Sequence, residues 1–426
     1  MKTQTQNKVE GYKMKQKNHS SRLILSLLFL AFACLAESPR VVSVKVEPRW
    51  PWNGLVDIAV DTAGVAGSLL YTFQLKGHDK DRNQEVAMRT LSLDGGKTFA
   101  SYAEGKVEGQ SGASVQKFTW DAAKDCPTLN TANFTVSVGV KVQSETYLVV
   151  DLSTGKSRYT NEAPDLSGDT CRTTELWLHW IPAGTFTMGS PEDELGRYSS
   201  EVQHEVTLTS GYWMGVFEVT QKQWSLLMGS NPSWYQGDTR PVEDVSYNDI
   251  RGEEQGAGWP TGGHAVDSGS FLGKLRSRTG LAFDLPTEAQ WEYACRAGTA
   301  TALNSGKNLT AEKECPNMAE VGRYWYNNSD GKGGYGEHTK VGSYLPNAWG
   351  LYDMHGTVCE WCLDWYGSYP SSALTDPQGA ESGSYRVQRG GNWTDYAQYC
   401  RSADRSGSTP SYRDSTYYGF RVVLAP

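Results

Sequence analysis

A chain of 426 residues, 38% hydrophobic and 12% aromatic, is long enough for two or three domains and for sizeable cores without lipid. Its 45 glycines and 15 tryptophans favour turn-rich, irregular structure over long helices. A formal net charge of −8 without a basic stripe excludes a nucleic-acid binder that works through phosphate contacts.

The first 36 residues hold six Lys or Arg and one Glu, so the rest of the chain is strongly acidic. A polar, basic stretch to Arg22 is followed by the short apolar run from Leu23 to Ala36. That order, with small residues at its end, predicts a secretory signal peptide over residues 1–36, cleaved after Ala36, with Met14 as an alternative start. The run is too short to span a bilayer, and no other segment is apolar enough to do so. Cys34 opens a lipoprotein alternative, but Ala31-Phe32-Ala33 matches a lipidation box poorly. The expected location is secreted or cell-envelope (periplasmic). Export permits disulfides among Cys126, Cys171, Cys295, Cys315, Cys359, Cys362 and Cys400, and their odd number leaves at least one thiol unpaired.

Residues 40–152 read as β structure. Val42, Val44 and Val46 alternate with polar residues, and runs at 55–60, 69–75, 134–142 and 147–152 continue the series between turn signals such as Asp94-Gly95-Gly96. Strands of this length and spacing predict an immunoglobulin-like sandwich. It holds no catalytic constellation and reads as a spacer or interaction module. Residues 153–174 are rich in Ser, Thr, Asp, Gly and Pro and read as a linker, tied down through Cys171.

From Glu175 the texture changes. A strand and turn are expected over 181–191, and a strand over 204–208. A helix capped by Thr220 runs to Met228, with Trp224, Leu227 and Met228 on one face. Further helices are expected over 269–280 and 286–295, the latter opened by Pro286 or Thr287. Beyond Arg296, Gly, Asn, Tyr and Trp dominate. The segment from Arg389 to Arg421 is too polar for a core and too aromatic for a linker. Rigid Tyr and Trp with adaptable Ser and Asn suit a recognition surface, and its candidate contacts are Trp393, Asp395, Tyr396, Tyr399, Tyr412 and Tyr417. The plain alternative is an irregular loop whose rings pack onto the domain beneath.

Several motifs occur in a fixed order: Ala183-Gly184-Thr185-Phe186-Thr187-Met188-Gly189-Ser190, Glu218-Val219-Thr220, Asn231-Pro232-Ser233, Pro241-Val242-Glu243-Asp244-Val245-Ser246-Tyr247, Leu285-Pro286-Thr287-Glu288-Ala289-Gln290-Trp291-Glu292, Asn347-Ala348-Trp349-Gly350, Glu360-Trp361 and Arg389-Gly390-Gly391. Together they resemble the formylglycine-generating enzyme (sulfatase-modifying factor) family over roughly Glu175 to Leu424. The resemblance implies an α+β fold for residues 175–426, an irregular variant of the C-type lectin fold, preceded by the all-β domain. The family's enzymes oxidise a sulfatase cysteine with copper held by two thiolates spaced C-x4-C shortly after the Gly-Gly motif, a soft pair suited to Cu(I). Here Asp395 stands at the first position and Cys400 has the offset of the second. One cysteine cannot make the pair, so copper is not expected. The implied function is a non-catalytic, lectin-like binding protein for an extracellular protein or glycan. The rival is an oxidoreductase with an altered site around Cys400. The iron-dependent sulfoxide synthases of the wider family need a His-rich site, and the seven histidines here are scattered.

The resemblance also implies Ca²⁺, held by the Asp353 and Glu360 side chains and the Gly356 and Val358 carbonyls, hard oxygens in one tight turn. The alternative is a plain turn with Glu360 bonded to backbone. A second family calcium site would use Asn317 and Met318, but its later carboxylate position falls at Gly333, with Asp330 nearby. Cys359-Glu360-Trp361-Cys362 lacks the second ligand pair of a zinc site, and a redox dithiol would open a helix. It reads as structural, with Cys362 bridged to Cys400 or another cysteine. Asp364 and Asp376 read as solvated turn residues before an acid/base pair. Tyr, Asp, Ser and Thr crowd residues 394–418, which fits either templated diversification of Asn codons or ordinary drift.

Overall fold

The computed structural model describes residues 40–425 apart from 50–52, 64–69, 103–105, 112, 130–132, 143–145, 253–264, 330–335 and 414. The signal peptide expected over residues 1–36, and Asp330 and Gly333, lie outside the described residues. The chain forms two compact units, the first built mainly from residues up to Val142 and the second from Gln143 onward.

The first unit is two sheets over one core. One sheet runs in the order Arg40–Pro48, Leu55–Ala63, Val115–Asp121, Thr90–Ser92, Ala100–Ser101. The other is centred on Leu70–Asp79, which pairs along its length with Phe134–Val142. Period-two alternation does the sorting. Val56, Ile58 and Val60 turn inward from one strand and meet Phe73, Leu75, Phe118 and Trp120. Trp120 stacks on Phe134 at 5.2 Å and donates to Asp125 Oδ2 at 2.8 Å. This is the β-rich architecture expected of residues 40–152, as far as Val142.

The expected boundary moves. Tyr147–Asp151 was assigned above to the first domain, but it pairs with Ser157–Thr160 and with Glu175–Ile181 inside a six-stranded sheet of the second unit. The strand is buried on both faces, so its apolar pattern does not say which sheet it joins. Residues 153–174 are likewise not a linker. They supply the strand Ser157–Thr160 and the helix Thr170–Thr173. Arg172, rather than Cys171, ties them down: it is buried and donates to the carbonyls of Val341, Leu166 and Gly168.

The sheet continues through Tyr212–Gly215 and Val423–Leu424 to Phe283–Asp284. Three helices cover the core: Gln221–Met228, Phe271–Thr279 and Glu288–Arg296. Their starts follow from side-chain chemistry. Thr220 and Thr287 each close a capping box with a Gln three residues on, and Ser270 caps Phe271–Thr279. Trp224 and Phe271 stack at 5.2 Å and both meet Phe420 edge-on. A four-stranded sheet of Arg405–Ser408, Arg386–Arg389, Cys359–Trp365 and Tyr418–Gly419 carries the loop after Gly390-Gly391. Among the described residues no helix is long and apolar enough to cross a membrane.

Candidate functional site

The site begins at a turn only glycine permits. Gly390 and Gly391 have φ of 95° and 67°. A Cβ on Gly391 would lie 2.5 Å from the Tyr399 carbonyl, so the returning chain can pack directly against it. Asn392 then locks the next turn: its N–H and Nδ2 donate to Asp395 Oδ2, and its own Oδ1 accepts from Thr394 N and Oγ1. Asp395 Oδ2 is therefore used inside the loop. Burial pushes its pKa up to about 6.

Trp393 is also structural, at 6% exposure. Its Nε1 donates to the Thr416 carbonyl at 3.0 Å, and its ring meets Tyr235 edge-on at 5.5 Å. Tyr235 in turn meets His338 at 5.8 Å. His338 Nε2 lies 3.5 Å from Glu243 Oε1, both side chains being fully buried. Burial holds His338 below the ordinary histidine pKa, against the pull of Glu243.

The exposed rings lie beyond this turn. Tyr396 packs against Tyr326 at 6.0 Å, with the Lys313 ammonium 5.2 Å from its centroid. Tyr399 stacks on Tyr198 at 6.3 Å and 14°. Arg401 sets that meeting: its buried guanidinium donates to Glu201, Glu194 and the Gly196 carbonyl, pinning the loop that carries Tyr198. Trp325 donates its backbone N–H to the Asp395 carbonyl and leaves its ring 51% exposed. Tyr198 is 44% exposed. Tyr412 and Tyr417 gather instead around Tyr418, at 5.9 and 5.0 Å. Of the six expected contacts, Tyr396 and Tyr399 each pair with a ring from another loop (with Trp325 these two pairs make up the aromatic array), Tyr412 and Tyr417 form a second cluster, and Trp393 and Asp395 support the loop. Tyr198, Trp325, Tyr326 and Lys313 come from other loops. The run Tyr324-Trp325-Tyr326 was the signal that could have found the largest part of them.

The cysteines do not bear out a bridge. All seven described cysteines are free. Cys359 and Cys362 sit three apart on the strand Cys359–Trp365, so their side chains leave opposite faces and cannot converge on one partner. Burial raises the pKa of Cys359, Cys362 and Cys400 well above the thiol range. Asp364 is buried rather than solvated and accepts from Glu288 N, while Asp376 accepts from Thr209 N in a separate turn.

The calcium set fits in part. Asp353, Gly356 and Thr357, all at positive φ, make the tight turn. Asp353 Oδ2 accepts from Gly342 N, while Oδ1 is buried with no hydrogen-bond partner among the described residues. Glu360 does not fit. Arg421 grips both its oxygens at 2.7 Å, and Trp291 Nε1 adds a third bond at 2.8 Å. The carboxylate that is free is Glu218: both its oxygens are buried and unbonded among the described residues. Burial, then neighbouring Asp353, raises its pKa well above normal. No group of three or more His, Cys, Asp or Glu among the described residues has metal-holding geometry. A cation here would rest on these two carboxylates and backbone carbonyls. At the second family site, the Asn317 side chain donates to the Asn308 carbonyl.

Residues 164–426 match the family model described as a sulfatase-modifying factor enzyme 1-like domain. The chain is 28% identical to the formylglycine-generating enzyme of Mus musculus over 307 residues, covering 64% of this chain and 82% of that protein. It is 34% identical to the serine/threonine-protein kinase pkn1 of Chlamydia pneumoniae over 260 residues, covering 59% of this chain but only 38% of the kinase. The solved structure of PvdO from Pseudomonas aeruginosa aligns at 28% identity and a TM-score of 0.47, over 59% of this chain and 95% of that one.

Proposed function

Starting from a chain that belongs to the sulfatase-modifying factor enzyme 1-like family, we propose that it is a secreted, non-catalytic binding protein. Tyr198, Trp325, Tyr326, Tyr396 and Tyr399 meet an extracellular protein or glycan in a lectin-like way, and the immunoglobulin-like β unit acts as a spacer. One observation carries the reading: where the resemblance places the first copper thiolate, Asp395 stands, and its carboxyl closes the turn with Asn392. Large rings at modest exposure, held by packing behind them, are the residue type that dominates recognition energy. The matched domain also occurs in a relative named as a kinase, so the family's domain is not tied to one named activity.

The test is the double substitution Tyr396→Ala with Tyr399→Ala, read on an array of glycans and envelope proteins. Ligand binding should weaken by at least about thirtyfold, the cost of losing a pair of aromatic hot spots, while near-ultraviolet circular dichroism keeps the native signal. Unchanged binding would sink the proposal. The rival oxidoreductase rests on Cys400, which is fully buried at the offset of the second copper thiolate. Tight stoichiometric Cu(I), lost on Cys400→Ser, would favour it.

Calcium belongs to the same reading, with Glu218 in the place expected of Glu360. Adding Ca²⁺ after chelation should raise the thermal midpoint of the second unit by mass action, and Glu218→Gln should abolish the rise. A midpoint indifferent to calcium in the unsubstituted protein rejects the site.

A further inference from the structure

None of the residues of the aromatic array lines the cavity of about 290 Å³ that opens beside the strands Gly184–Met188, His204–Leu208 and Leu374–Thr375. Its other walls are the first turn of the helix Glu288–Arg296 and the loop 366–380. Met188 and Leu374 supply aliphatic surface, and the Tyr369 ring packs on His204 at 4.8 Å. Three charged groups reach the wall, and two of them neutralise each other. Arg405 grips both oxygens of Glu288 at 2.8 and 2.7 Å, donates to the Gly367 carbonyl, and lies 3.8 Å from the Tyr369 centroid.

The third is Asp364. It is buried, accepts one backbone bond from Glu288 N at 2.8 Å, and has no salt bridge among the described residues. Its Oδ1 lies against Gly379, where a Cβ would sit 2.9 Å away, so only glycine lets the loop 366–380 pack this closely on the carboxyl, which lines the cavity. Ionised Asp364 leaves the cavity with one negative charge uncompensated. An anionic ligand would face two carboxylates, and a purely apolar one would leave Asp364 desolvated without a partner. A cavity at the small end of the range for ligand sites suits a fragment-sized molecule.

We propose that this cavity binds a small primary amine, whose ammonium donates to Asp364 and whose hydrocarbon body lies against Met188, Leu374 and Tyr369. The site is independent of the reading of the aromatic array. Burial first, and then the charge of Glu288, raise Asp364 to about 7, with Arg405 and Arg386 pulling the other way. His204 and Tyr369 also face the site. Near neutral pH part of the population therefore holds Asp364 protonated. Binding an ammonium ionises that fraction, and the carboxyl proton passes to the buffer.

The experiment is calorimetric titration of the whole chain with phenethylamine and with 2-phenylethanol at neutral pH, in two buffers of different ionisation enthalpy. The amine should bind more than about tenfold tighter than the alcohol, the scale of one charge-assisted hydrogen bond. Its heat should differ between buffers in the sense of proton release. Asp364→Asn should cost at least that tenfold and erase the buffer dependence. Ala380→Phe, which adds a ring at a lining position and leaves the carboxyl alone, should also abolish binding and decides the matter if the first variant does not fold. Equal affinity for the alcohol, amine binding unchanged in a folded variant, or no binding at millimolar amine overturns the proposal.

Discussion

Replacing Arg421 with methionine should destabilise the second unit by roughly 3–5 kcal/mol, the cost of stranding one partner of a buried ion pair. Arg421 is fully buried, and every bond it makes is internal. Its fork holds both oxygens of Glu360, and the same guanidinium donates to the carbonyls of Gly215, Val216 and Tyr352. Glu218 and Asp353 lie near enough for Arg421 to lower the pKa of each. Removing it leaves Glu360 with one indole donor and takes from Glu360, Glu218 and Asp353 the guanidinium they share. The urea midpoint of the second unit, followed by tryptophan fluorescence, reports the loss. Arg421→Lys should recover only part of it, because an ammonium cannot reproduce the two-pronged bond. Pairing Arg421→Met with Glu360→Gln should cost clearly less than the sum of the two single changes. A single variant within about 1 kcal/mol of the parent would show that Glu360 does not depend on this arginine.

That pair explains what the sequence motifs were reporting. Glu288 and Glu292, in one motif, pair with Arg405 and Arg389, while Glu360 pairs with Arg421 and Glu201 with Arg401. The partners are 117, 97, 61 and 200 residues apart, so no local pattern reveals them. What was legible was local. Thr220 and Thr287 announced their helices because a cap acts within three residues, and the run at 55–60 announced a strand. Tyr147–Asp151 was assigned to the wrong unit because a doubly buried strand carries no mark of its sheet. The aromatic array was half legible for the same reason as the ion pairs. Its rings come from residues 198, 325–326 and 396–399, and only the last group lies in the segment whose composition stood out. Asp395 looked like a contact because its bond to Asn392 is invisible without the turn.

Buried carboxyls set the opposite of the usual pH dependence. The second unit should become less stable as pH rises from about 5 to 8. Burial first, then the nearby charges, raise Asp404 to about 8 and Asp364 to about 7, with Arg401 and Arg405 respectively opposing. Unfolded aspartates lose their protons near pH 4. Between that value and the raised one the native state holds protons that the unfolded chain has released. Stability then falls with rising pH, by about 1.4 kcal/mol per pH unit for each proton so held. Glu288 and Glu201 work the other way. Burial alone would raise them, but Arg405 and Arg389 at the first, and Arg401 at the second, outweigh it and hold both below the ordinary range. Their contribution is present above the unfolded glutamate value and fades as pH drops through the lowered one. The two sets together place the maximum near pH 5. Urea midpoints measured from pH 4 to 9 test the profile, and Asp404→Asn, which fixes the neutral form, should flatten its alkaline limb. A midpoint that climbs from pH 5 to 8 would mean that Asp404 and Asp364 ionise in the folded protein with their ordinary ease, and the cavity at Asp364 would then release no proton to an amine.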